Sequence, residues 1–158
     1  MQAQTLAAQY DVVVVGGGLV GASFALNLAQ QTKDSGYSIL VVEAVDSKNF
    51  DQQPSFDSRS TALSFGSRQI FETMKLWSAI APLAEPIVEI QVSDRGHFGR
   101  TTLSSAEQGV EALGYVIENR ELGGVLSEAM QASSGVSLLA PAKITRIKPC
   151  QPQEAPGG

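Results

Sequence analysis

Apolar positions concentrate first in residues 10–15, a β-branched run that predicts a short buried strand. They continue through 19–32 with almost no polar stripe, which predicts a helix buried against a sheet. Lys33, Asp34, Ser35 and Gly36 interrupt the pattern, and 37–43 reads as a second apolar strand. Residues 44–56 turn polar and read as a surface loop. In 67–77, Ile70, Phe71, Met74 and Trp77 recur at helical spacing and read as core. Residues 87–93 alternate, with Val88, Ile90 and Val92 on one face and Glu89, Gln91 and Ser93 on the other. Ile87 is the exception, and the pattern predicts a half-buried strand. Asp94, Arg95 and Gly96 signal a turn, after which 100–103 can return as a hairpin partner. Residues 115–118 form another short strand. Residues 120–132 predict a helix with Leu122, Val125, Leu126, Ala129 and Met130 on one face, weakened in its first turns by Gly123 and Gly124. Residues 136–139 and 142–148 read as two more strands.

This order implies an α/β fold. A Rossmann-like βαβ unit with a parallel sheet uses 10–15, 37–43 and 136–139, joined by right-handed crossovers. The stretch 44–119 is too long for an ordinary crossover and reads as an antiparallel, substrate-side insertion. The body is 10–148. Residues 1–9 read as a loose leader and 149–158, rich in Pro, Gly and Gln, as a loose tail. An ending just after a strand-like run reads as a chain cut short.

Composition narrows the chemistry. The 158 residues suffice for one domain with a core, and 43% hydrophobic against 17% charged residues suits a globular protein. A net charge of −5 without any Lys/Arg block argues against nucleic acid and against electrostatic docking on an anionic membrane. A single cysteine, Cys150, cannot form an internal disulfide, and no Cys/His set suggests a metal site. A reducing, cytoplasmic setting fits best, and no apolar stretch reaches membrane-spanning length.

The segment joining the first strand to its helix carries the chemistry. Gly16, Gly18 and Gly21 fit the G-x-G-x-x-G spacing, with Gly17, Leu19 and Val20 between them. Gly16 permits a tight turn, Gly18 lets backbone approach a pyrophosphate, and Gly21 lets the helix pack closely on the strand. Phosphates would sit on free N–H groups at the positive end of the helix. Glu43 ends the second strand 22 positions after Gly21, where a ribose hydroxyl partner is expected. Asp94, Arg95 and His97 read as a polar hairpin turn rather than a site.

With these parts in place, GGGLVGA, Glu43, FDSRSTAL, VSDRGHFG and VIENRELGGVL together resemble the ubiquinone-biosynthesis flavin hydroxylases. That group lies within the class A flavoprotein monooxygenases of the p-hydroxybenzoate hydroxylase fold. The resemblance implies FAD as cofactor, NAD(P)H as reductant, and O₂ and a lipid-like polyprenyl phenol as substrates. It implies that residues 16–21 and Glu43 hold the ADP half of FAD. Arg59 would lie near the diphosphate and Arg120 on the ribityl side, as suits a guanidinium. The plain alternative for each arginine is a surface ion pair, Arg59 with Asp57 and Arg120 with a nearby Glu. The resemblance leaves peripheral membrane or biosynthetic-complex contacts open. Such hydroxylases are much longer and carry later Asp-Gly and Gly-Asp segments that this chain lacks. The chain alone is therefore expected to be inactive, and to self-associate through uncovered edges. Two other readings stand beside this one: an NAD-dependent dehydrogenase domain, and a non-catalytic folded fragment.

Overall fold

A computed structural model describes residues 7, 9–46, 53–94, 96 and 98–149. Strand β1 (Val12–Val15) leads into helix α1 (Leu19–Gln31) and strand β2 (Ile39–Val42). β2 pairs in parallel with β1, Val12 opposite Ile39, and on its other edge with β8 (Val136–Leu139), Ile39 opposite Val136. The expected three-stranded parallel sheet therefore forms in the order β1-β2-β8. All four residues of β2 are buried, as its central place predicts, but β1 is not the buried strand expected, since Val13 and Val15 are 49% and 63% exposed. Asp11 ties the two leading strands together below the glycine turn, accepting from the Ser38 N–H at 2.8 Å and its hydroxyl at 2.7 Å.

Between β2 and β8 the chain builds a second sheet. Strand β3 (Ser60–Ser64) pairs antiparallel with β7 (Gly114–Glu118), which pairs in turn with β4 (Glu85–Ile87). Helix α2 (Phe65–Thr73) follows β3 directly, its first turn capped by the Ser64 hydroxyl on the Ser67 N–H. The short helix α3 (Trp77–Ile80) and a 3₁₀ turn lead to β4. Helix α4 (Asn119–Ala132) runs from β7 back to β8 and packs beside α1. The core lies where the parallel sheet, α1, α4 and the antiparallel sheet meet, around Ala25, Val41, Ile80, Ile117, Leu126 and Met130.

Several expectations need correction. Residues 60–64 are a strand that the polar spelling STALS concealed, because only Thr61 and Leu63 turn inward. The helix expected over 67–77 is two helices. Lys75 adopts a left-handed conformation, φ 60°, and the Lys75 and Leu76 N–H groups bond back to the Glu72 and Phe71 carbonyls, a Schellman stop. Phe71 and Met74 reach the core, but Ile70 is half exposed. α1 is not buried all round, since Val20 is 85% exposed. The strand expected over 87–93 is divided between β4 and β5 (Glu89–Ser93). β5 pairs only with β6 (Arg100–Ser104), and the apolar face of this ribbon is exposed rather than half-buried. Residues 142–148 form no strand. α4 forms through Gly123, where a Cβ would collide with the Phe56 ring that packs on the helix.

Candidate functional site

The glycine turn sits at the C-terminal edge of the parallel sheet. The Gly16 N–H donates to the Val42 carbonyl at 2.8 Å, and Gly16 holds φ 99°, which favours glycine. A Cβ on Gly21 would overlap the Gly16 carbonyl oxygen, so this glycine lets the first turn of α1 rest on the loop. Gly18 is the N-cap, and no side chain caps α1. No acidic residue lies in its first turn, whose positive end favours an anion.

This end of α1 opens onto a cleft of 670 Å³. Gly16, Gly18, Leu19, Val20 and Gly21 form one wall; Pro54, Ser55, Arg59 and Asn119 form the other. A Cβ on Gly18 would come within 2.7 Å of the Ser55 hydroxyl, which lies against this glycine. Leu19 and Val20 also wall an adjoining apolar cleft of 400 Å³ with Leu63, Ile70, Phe71 and Leu122. A third cleft, of 560 Å³, lies at the far ends of α1 and α4 and contains none of the site residues picked by sequence.

The far wall is held by a polar network that sequence reasoning missed. Asn119 is buried, donating its amide to Asp57 at 3.3 Å and accepting from the Thr61 hydroxyl at 2.5 Å. Backbone bonds from Asn119 to the Arg59 carbonyl and from Arg120 to the Asp57 carbonyl fasten this loop to the start of α4. Asp57 accepts from the Arg59 N–H at 3.0 Å and from its Nε at 2.6 Å. Desolvation acts to raise the Asp57 pKa, but the Arg59 hydrogen bonds and charge, with the Asn119 amide, outweigh it and hold the carboxyl below its ordinary value. Neither the DSR nor the ENR spelling announces these bonds, because the partners of Asn119 lie 58 and 62 positions away.

The residues picked by sequence divide by position. The turn from Gly16 to Gly21 and Arg59 meet at the cleft, apart from Gly17, which faces away. Arg59 is paired with Asp57, yet its guanidinium stays largely exposed. Arg120 is near in backbone only: its guanidinium rests on Glu118 at 3.0 Å and Glu121 at 3.8 Å and does not wall the cleft. Glu43 stands behind the turn, 5% exposed, with both oxygens on backbone N–H groups. Asp94 is exposed at the ribbon turn, and Arg95 and His97 lie outside the described residues. Among the described residues no His, Cys, Asp and Glu cluster could hold a metal ion, and no helix is long and apolar enough to cross a membrane.

No family model matches the chain. It is 32% identical over 139 residues to ubiquinone hydroxylase UbiL of Rhodospirillum rubrum, covering 87% of this chain and 31% of that protein. It is 29% identical over 140 residues to 3-demethoxyubiquinol 3-hydroxylase of Escherichia coli, covering 87% and 34%. The chain thus spans about a third of the length of these relatives. Among solved structures, the flavin-dependent monooxygenase PieE in complex with FAD and substrate superposes with a TM-score of 0.59 at 17% identity, covering 82% of this chain and 23% of that one. The likeness to PieE is one of fold. The resemblance read from the motifs is borne out: over most of its length this chain is similar to ubiquinone-biosynthesis hydroxylases, on the fold of the FAD-dependent monooxygenases.

Proposed function

We propose that this chain is the FAD-binding part of an NAD(P)H-dependent aromatic hydroxylase that acts on a polyprenyl phenol in ubiquinone biosynthesis. The observation that carries this reading is the uncapped α1 N-terminus, set behind a glycine turn and facing Arg59 across a cleft of 670 Å³. Gly16 to Gly21 and the first turn of α1 would hold the diphosphate, with Arg59 opposing them. Glu43 would accept the adenosine ribose through the lone pairs that its two backbone bonds leave. Arg120 would reach the ribityl side on leaving its glutamates. FAD, when bound, supplies the redox chemistry with O₂, and the protein binds, orients and excludes water. FDSRSTAL and VSDRGHFG resemble in particular those of 2-octaprenyl-6-methoxyphenol hydroxylase. A cytoplasmic setting at the inner face of the membrane suits a polyprenyl substrate.

The test is a titration of the chain with FAD, followed by flavin fluorescence, beside parallel titrations with ADP and NAD. FAD and ADP should bind, and Gly18→Val should abolish both while leaving the circular dichroism spectrum unchanged. Binding of NAD in preference to FAD would favour a dehydrogenase domain. Binding of neither would favour a folded module without cofactor. The chain alone should yield no hydroxylated phenol coupled to NAD(P)H oxidation, because it spans about a third of its relatives.

A further inference from the structure

Among the described residues Glu43 is the only buried acidic side chain. A buried carboxylate is costly unless its charge is met by hydrogen bonds. Here Oε2 accepts the Gly17 N–H at 2.6 Å and Oε1 accepts the Val45 N–H at 2.8 Å. Its backbone is equally tied. The Glu43 N–H donates to the Leu139 carbonyl at 2.9 Å, and its own carbonyl accepts the Ala142 N–H at 2.7 Å. Gly17 lies against this side chain, since a Cβ on it would be 3.3 Å from Glu43 Oε2. Neither residue walls the cleft.

Gly16, Gly17 and Gly18 are consecutive, and three glycines in a row carry the largest backbone entropy that a turn can have. Left untied, the turn would have to be ordered by its ligand, at a cost in affinity. A short, charge-assisted bond to the middle peptide removes that cost beforehand. We propose that Glu43 is a positioning residue. Its carboxylate latches the glycine turn in its receiving shape while the site is empty, so it strengthens the binding even of ligands that have no ribose. The ligand half of this proposal rests on the nucleotide reading above; the latch itself does not.

The experiment joins amide hydrogen exchange on the ligand-free chain with binding of inorganic pyrophosphate and of ADP. The variants are Glu43→Asp, which keeps the charge but is one methylene short of Gly17, and Glu43→Gln, which can accept from only one of the two N–H groups. In Glu43→Asp exchange at Gly17 should quicken about tenfold, and in Glu43→Gln exchange at Gly17 or at Val45, as for loss of a hydrogen bond to a charged group, while amides of β2 stay within about twofold. Pyrophosphate binding should weaken about tenfold in parallel. Unchanged Gly17 exchange in Glu43→Asp would overturn the latch, as would equal quickening throughout β2, which marks general destabilisation. Weakened ADP binding with unchanged pyrophosphate binding would reduce Glu43 to a ribose contact. If the unsubstituted chain bound neither pyrophosphate nor FAD, the nucleotide reading would fall while the exchange data still decided the latch.

Discussion

The parallel βαβ unit and the β5–β6 ribbon are both spelled in regular apolar patterns, but their fates differ. In the first, α1 and α4 cover the apolar residues Ile39 and Val41 on one face of the central strand, and β2 disappears from solvent. In the second, Val88, Ile90, Val92 and Leu103 share one face and all remain exposed, Val92 at 55%. An alternating pattern states which side of a strand is apolar. Whether that side is covered depends on a second layer, which is decided elsewhere in the chain.

The contrast can be tested first in stability. Leu126→Ala removes a fully buried side chain between α1, α4 and the sheet and should cost about 2–5 kcal/mol. Val92→Ala in the ribbon should change stability by no more than about 0.5 kcal/mol. Denaturant titration of the two variants decides it, and equal losses would mean that the ribbon is packed in solution. The second test concerns self-association. If copies meet through the ribbon's apolar face, Val92→Lys would bury an unpaired charge there and weaken association about tenfold, or ~1.4 kcal/mol. Sedimentation over a concentration series reads this, and an unchanged profile would place any association elsewhere. The smallest effect belongs to the junction between the two regions. Lys75 at φ 60° carries left-handed strain of about 1 kcal/mol, part of which glycine returns as unfolded-chain entropy. Lys75→Gly should therefore raise stability by roughly 0.5 kcal/mol, visible as a small rise in Tm.

Legibility followed the range of the interactions. The turn from Gly16 to Gly21 was readable because each glycine answers a local steric demand, a positive φ at Gly16 and an overlap at Gly21. The parallel sheet was readable because continuous β-branched runs announce strands, although only β2 is buried along its whole length. Strand β3 was not, because its inward residues are only Thr61 and Leu63 and its partner β7 lies some fifty residues away. The stop at Lys75 was hidden because a lysine there gives no sign of the left-handed conformation that glycine would announce. Within the site, the arginines were found but their ion-pair partners decide their direction. Arg59 reaches the cleft from Asp57, whereas Arg120 lies on Glu118 and Glu121. Asn119 escaped notice because its value lies in two partners, Asp57 and Thr61, that are remote in sequence.

The central place of β2 has a consequence in time. The glycine turn and Glu43 leave the ribosome early, but β2 has an unpaired edge until Val136–Leu139 is made. The Glu43 backbone waits for Leu139 and Ala142. Closing that edge means first closing a loop of the whole intervening sequence, which slows folding and prolongs exposure of an apolar strand. The part of the site encoded first is thus completed only after the whole intervening sequence, and a nascent chain halted before Val136 would carry the glycine motif without the strand that closes its sheet.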